Sequence, residues 1–143
     1  MIKLKYIFFL LCIILSMDIH AQGLSYFSHG LDSAKVEATY QNKYVLIEFY
    51  ADWCINCKIM DEEIFSIQEI KFIIEDKCIP VKLDIKYFSS MDVADIYDVK
   101  VYPTLLVLES NGTLIHKIVG KKTYSELLVE FIDLPRHPSV TKF

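Results

Sequence analysis

The chain is 143 residues long, 53% hydrophobic and 24% charged, with a formal net charge of −4 and only four Gly and four Pro. That length holds one domain with a self-sufficient core, and the composition excludes both a disordered chain and a disulfide-scaffolded mini-protein. The lysines are scattered singly or in pairs, which speaks against a nucleic-acid partner.

Residues 1–21 stand apart. Lys3 and Lys5 give a basic start, Ile7 to Leu15 is an unbroken apolar run containing Cys12, and the small residue Ala21 follows Asp18 and His20. This is the layout of a secretory signal peptide cleaved after Ala21, and the run falls short of the about 20 apolar residues that span a bilayer. An uncleaved membrane anchor is the alternative. Bulky Leu11 before Cys12 disfavours a lipid-attachment site. The expectation is therefore a periplasmic or otherwise exported protein, with a domain over 22–134 and a loose tail over 135–143.

Gln22 to Gly30 reads as an irregular lead-in, and Leu31 to Gln41 as a helix with Leu31, Ala34, Val36 and Ala38 apolar and Asp32 or Ser33 as cap. Asn42 and Lys43 break it. Tyr44 to Tyr50 is a nearly continuous run of β-branched and aromatic residues, the pattern of a strand buried on both faces. From Cys54 the apolar residues Ile55, Ile59, Met60, Ile64 and Phe65 recur at helical spacing, and Ser66 with Glu69 suggests a capping box for a helix through Ile70, Phe72, Ile73 and Ile74. Cys78 to Asp84 contains a strand, and Ser89 with Asp92 suggests the cap of a short helix to Tyr97. Thr104 to Leu108 and Leu114 to Val119 form a hairpin around Asn111-Gly112, a strong two-residue turn signal. Thr123 and Glu126 make a third capping box, opening a helix through Leu127, Leu128, Phe131 and Ile132 that Pro135 ends. A strand–helix–strand unit followed by a hairpin gives an α/β fold: a mixed sheet with helices on both faces.

The chemistry gathers at Cys54 and Cys57. Cys54 falls where a buried strand meets a helix N-terminus, whose unpaired N–H groups and positive dipole end stabilise a thiolate. Cys57, three residues on, faces the same side of the first turn, so the pair can close a small ring with Cys54 as attacker and Cys57 as resolver. An inert disulfide or half of a zinc site are the alternatives, though zinc needs two more ligands and the other Cys and His residues are far apart. With the leader removed, Cys54, Cys57 and Cys78 remain; an odd count fits a redox pair plus a buried spectator better than a disulfide framework. His116 and His137 have no partners that suggest catalysis.

The stretch Phe49-Tyr50-Ala51-Asp52-Trp53-Cys54-Ile55-Asn56-Cys57-Lys58 resembles the active-site segment of the thioredoxin superfamily, in particular the C-terminal periplasmic domain of transmembrane thiol:disulfide interchange reductases. The resemblance covers about Leu31 to Ile132 and implies a thioredoxin fold. It also implies roles for further residues. Glu48, six residues before Cys54, stands where the family carries a buried proton-transferring acid, and burial would favour its neutral form. Lys82 stands where a lysine partners that acid. Each could instead be a strand residue reaching solvent. Tyr102-Pro103-Thr104 matches the family's cis-proline segment, whose backbone pairs with a substrate strand. Gly120 either leaves room for substrate beside the cysteines or simply joins strand to helix. Trp53, Tyr102, Pro103 and Gly120 form the expected substrate-binding set.

Ile55-Asn56 departs from the dipeptides common in the family. It carries no cation, which tilts the pair toward a reductant or isomerase. The sequence thus points to an exported, monomeric reductase of protein disulfides that needs no cofactor and draws on a membrane-bound electron donor. A disulfide oxidase, an isomerase or a non-enzymatic thioredoxin-fold binding module are the alternatives.

Overall fold

In a computed structural model, residues 23–136 are described; the expected signal peptide, His137 and most of the tail lie outside them. Among the described residues, five α-helices and four strands follow in the order α1 (Gly30–Gln41), β1 (Tyr44–Tyr50), α2 (Ile55–Ile59), α3 (Gln68–Lys77), β2 (Cys78–Asp84), α4 (Phe88–Ile96), β3 (Thr104–Leu108), β4 (Leu114–Val119) and α5 (Tyr124–Ile132). A π-helical turn, Met60–Ile64, extends α2. The sheet order is β2-β1-β3-β4, with β1 parallel to β2 and antiparallel to β3, and β3 antiparallel to β4. The mixed sheet expected from the element order is the one observed.

Side-chain alternation along β1 and β3 divides the core in two. Tyr44, Leu46, Leu105 and Val107 pack with Met60, Phe65, Ile70, Ile74, Leu127 and Phe131 on the face covered by the π turn, α3 and α5. Val45, Ile47, Phe49, Leu106 and Leu108 pack with Ala34, Ala38 and Ala94 on the face covered by α1 and α4. Each large side chain fully buried this way contributes about 1.5–3 kcal/mol. Because both faces of β1 are covered, its sequence reads as an unbroken apolar run. Glu48 is the exception within it and, by parity with Leu46, lies on the face of the π turn, α3 and α5.

Several local expectations are corrected. Val36 and Phe72 are exposed at 71% and 68%, although their spacing assigned them to core faces. Neither Asp32 nor Ser33 caps α1; His29 occupies the N-cap without a side-chain bond. The helix does end at Asn42, in the left-handed region at φ 52°. Ser66 and Glu69 form no capping box: Ser66 donates to the Glu62 carbonyl, Glu69 accepts from the Tyr124 hydroxyl, and Ile67 is the N-cap. Ser89 and Asp92 do not cap α4, whose N-cap is Tyr87. Only the Thr123–Glu126 box forms, with both reciprocal bonds. The hairpin loop is longer than a two-residue turn, and Gly112, not Asn111, takes the positive φ, 93°.

Two contacts hold the ends of the domain. The Lys77 ammonium, buried, donates to the carbonyls of Phe131 (2.5 Å), Ile132 (3.1 Å) and Leu134 (2.5 Å), satisfying the C-terminal turn of α5. At the other end, Phe27 N–H donates to the carbonyl of Pro80 in β2 (2.7 Å).

Candidate active site

At the end of β1 the chain turns through Ala51, Asp52 and Trp53, and Cys54 becomes the N-cap of α2. Cys54 and Cys57 are joined by a disulfide, with Cα atoms 5.3 Å apart. The Cys57 N–H points at Cys54 Sγ, 3.2 Å away. That donor favours negative charge on Cys54 whenever the bond is reduced. The pair packs with Ala51 against Tyr50, Ile85 and Tyr102. Cys54 keeps 5% of its surface and Cys57 1%, which gives Cys54 the better access.

Around the disulfide the surface is aromatic. Trp53 is 72% exposed, and its ring meets Tyr102 edge-on at 6.1 Å. Tyr102-Pro103 is a cis peptide, directly before β3. Two carbonyls of this segment are engaged within the protein: Val101 accepts from Thr104 Oγ1 (2.7 Å) and Pro103 from Gly120 N–H (2.8 Å). Gly120 therefore adjoins Pro103. Its φ of 76° calls for glycine on backbone grounds, and an added Cβ would meet nothing within 4 Å. Trp53, Tyr102, Pro103 and Gly120 thus form one neighbourhood. On the opposite side of the cysteine loop, Lys86 bridges Asp52 (3.2 Å) and Asp84 (2.7 Å), tying that loop to the end of β2.

Near this surface lies a charged cluster in which Glu48 is buried while Lys82 and Asp61 keep partial access to solvent. Glu48 is 1% exposed, so the solvent-reaching alternative does not apply. Its Oε2 accepts from the Tyr26 hydroxyl. Its Oε1 faces Lys82 Nζ at 3.3 Å, an ion-pair contact without hydrogen-bond alignment. Glu48 and Lys82 are register partners on β1 and β2, so they lie side by side on one sheet face. Lys82 is gripped by both oxygens of Asp61 (2.6 and 2.5 Å) and lies over the rings of Tyr26 (5.0 Å) and Tyr50 (4.7 Å). Burial pushes the Glu48 carboxyl up to about 7; Lys82 opposes the shift, Asp61 adds to it, and the Tyr26 hydrogen bond opposes it. A carboxyl balanced near neutrality can take or give a proton at physiological pH.

Tyr26 and Asp61 had not been singled out from sequence. Asp61 follows Cys57 by four residues, the helical spacing of same-face neighbours, and that signal could have found it. Tyr26 had none: it lies in the irregular lead-in, 22 residues before Glu48. The remaining residues read as bystanders stay outside the cluster. Cys78 is a buried free thiol pushed by its burial up to about 12. His116 does have a partner, Glu130 Oε2 at 2.5 Å, in the packing of β4 on α5. Among the described residues, no group of three His, Cys, Asp or Glu side chains is arranged to hold a metal ion.

Comparison with known proteins gives this geometry a context. The sequence profile described as Thioredoxin matches residues 31–133. A protein disulfide-isomerase of Medicago sativa is 28% identical over 102 residues, covering 71% of this chain and 20% of that protein. The thiol:disulfide interchange protein DsbD of a Pseudomonas species is 31% identical over 78 residues, covering 53% of this chain and 13% of that protein. The chain therefore spans a fifth or less of the length of these two relatives. In fold, it resembles the oxidised C-terminal domain of DsbD from Neisseria meningitidis, with a TM-score of 0.58, 21% identity, and coverage of 71% of this chain and 87% of that one.

Proposed function

The chain belongs to the thioredoxin family, and from that premise we propose that it is an exported thiol:disulfide oxidoreductase acting as a reductase of protein disulfides. The observation that carries the reading is the Cys54–Cys57 disulfide at the head of α2, beside exposed Trp53 and on the sheet side where Glu48 is buried. In the reduced enzyme, the Cys54 thiolate attacks one sulfur of a substrate disulfide. A mixed disulfide forms, and the other substrate sulfur leaves as a thiolate that takes a proton. Cys57 then gives its proton to a base, attacks Cys54 Sγ and expels the second substrate thiolate. Two electrons pass to the substrate and the Cys54–Cys57 bond is formed.

Glu48 is the proposed proton acceptor at Cys57. It lies on the sheet face packed against Met60 of the π turn that continues α2, and its balance near pH 7 suits the transfer. Lys82 holds the charged form once the proton has left. Trp53, Tyr102, Pro103 and Gly120 are the proposed substrate platform. Regeneration of the dithiol calls for an outside reductant, for which a membrane-bound donor fits the N-terminal apolar run of residues 7–15 as an export signal.

The reductive direction rests on Ile55-Asn56, which places no cation between the cysteines. Trp53, the only tryptophan, reports the redox state of the pair by fluorescence. Titration against dithiothreitol or glutathione should give a midpoint nearer the thioredoxin value, about −270 mV, than the strong-oxidant value, about −120 mV. A midpoint above about −160 mV rejects the reductase in favour of an oxidase or isomerase.

A further inference from the structure

We propose that Tyr26 is a positioning residue of the redox site, and that the lead-in segment carrying it is a working part of that site. The inference rests on Glu48 being the proton acceptor.

The segment precedes α1 and lies ahead of the residues 31–133 that match the family profile. It has no regular structure, yet it is fixed at successive residues. Leu24 is buried in the core, Ser25 N–H donates to Glu75 Oε1 (2.9 Å), and Phe27 N–H donates to the Pro80 carbonyl (2.7 Å). Tyr26, between these anchors, has little freedom to point elsewhere. Its hydroxyl donates to Glu48 Oε2, and its ring lies 5.0 Å from Lys82 Nζ. One side chain therefore touches both buried Glu48 and half-buried Lys82.

The contacts of Glu48 show what this does. Lys82 from β2 and Asp61 from the π turn are the charged groups around it, Tyr26 comes from the lead-in, and β3 offers only apolar Leu105 as register partner. The Tyr26 hydroxyl is the one aligned hydrogen-bond donor to the carboxylate among the described residues. It fixes the carboxylate rotamer so that Oε1 faces Lys82, and a donor aimed at a carboxylate favours its charged form. Because Tyr26 is partly buried and beside Glu48, its own ionisation is pushed far up, so its hydroxyl keeps the proton with which it donates to the carboxylate.

Tyr26→Phe keeps the ring and removes the donor. Pre-reduced enzyme is mixed with insulin, and Trp53 fluorescence follows closure of the Cys54–Cys57 bond from pH 5 to 9 in wild type, Tyr26→Phe, Glu48→Gln and the double variant. The titration of the Glu48 carboxyl carbon is read by NMR in oxidised wild type and Tyr26→Phe. The expected result is an acidic limb moved up by about one pH unit, with closure about fivefold slower at pH 7 and restored at pH 9. The NMR titration should move with it, and the effect should vanish in the Glu48→Gln background. A Tyr26→Phe profile that superimposes on wild type while Glu48→Gln is slow overturns the role of Tyr26 and leaves that of Glu48. An equal slowing in both backgrounds overturns it as merely structural. Unchanged closure in Glu48→Gln overturns both readings.

Discussion

Glu48→Gln should make the protein more stable at pH 8 while changing little at pH 4. The folded carboxyl titrates near 7 against an ordinary 4.5, because burial disfavours the charge more than Lys82 and Tyr26 restore it. The fold therefore prefers the protonated form. Its contribution to stability is fully present below about pH 4.5, declines as pH rises, and is lost above about pH 7. A difference of 2.5 units, at about 1.4 kcal/mol each, amounts to roughly 3 kcal/mol. Glutamine is nearly isosteric, can pair with the Tyr26 hydroxyl, and leaves Lys82 its two bonds to Asp61. Urea unfolding of the oxidised proteins, followed by far-UV circular dichroism at several pH values, measures the effect without interference from thiol ionisation. With a slope of about 1.5 kcal/mol per molar urea, the midpoints should separate by about 2 M at pH 8 and converge near pH 4. Midpoints that run parallel across this range would refute the claim that Glu48 is held near neutrality by its surroundings.

Cys54→Ser should abolish turnover of insulin, whereas Cys57→Ser should accumulate mixed disulfides visible on non-reducing gels; equal trapping by both variants reverses or removes the attacker and resolver assignment. Cys78, pushed up to about 12, should resist thiol reagents at pH 8 until the protein is unfolded in urea, and Cys78→Ala should keep full turnover. Lys77→Met removes a charged donor from three carbonyls, so stability should fall by about 2–4 kcal/mol with the Cys54–Cys57 midpoint potential unchanged. A loss below about 0.5 kcal/mol, read by urea unfolding, would mean that water replaces the ammonium at no cost.

The strands were legible in the sequence because burial leaves so plain a signature. Tyr44–Tyr50, Thr104–Leu108 and Leu114–Val119 have the bounds that their apolar runs suggested. The cysteine segment was legible for the same reason, since a buried strand delivers it to a helix start. Helix caps were not. Ser66 and Glu69 have the right spacing, but each found a better partner, in Glu62 and Tyr124, and a local pattern does not reveal that competition. Periodicity likewise marks the residues that could be buried, whereas the packing of neighbours decides which are; hence Val36 and Phe72 lie outside. The charged cluster around Glu48 was half visible. Glu48 stood out as a charge within an apolar strand, and Lys82 came from the family resemblance. Tyr26 reaches Glu48 only through tertiary packing, which no sequence period records.

The bond from Phe27 to Pro80 has another consequence, for the sheet as an assembly surface. β2 is an edge strand, and an edge strand ordinarily offers a row of backbone donors and acceptors to any passing chain. Midway along it, Pro80 has no N–H to offer, and its outward carbonyl is already taken by Phe27. No further strand can zip past that point. An open sheet edge can recruit the exposed, β-prone segments of other chains and so seed aggregation. Here one flank of the sheet is shut against that hazard, which leaves the six-residue β4 as the only edge along which growth could proceed among the described residues.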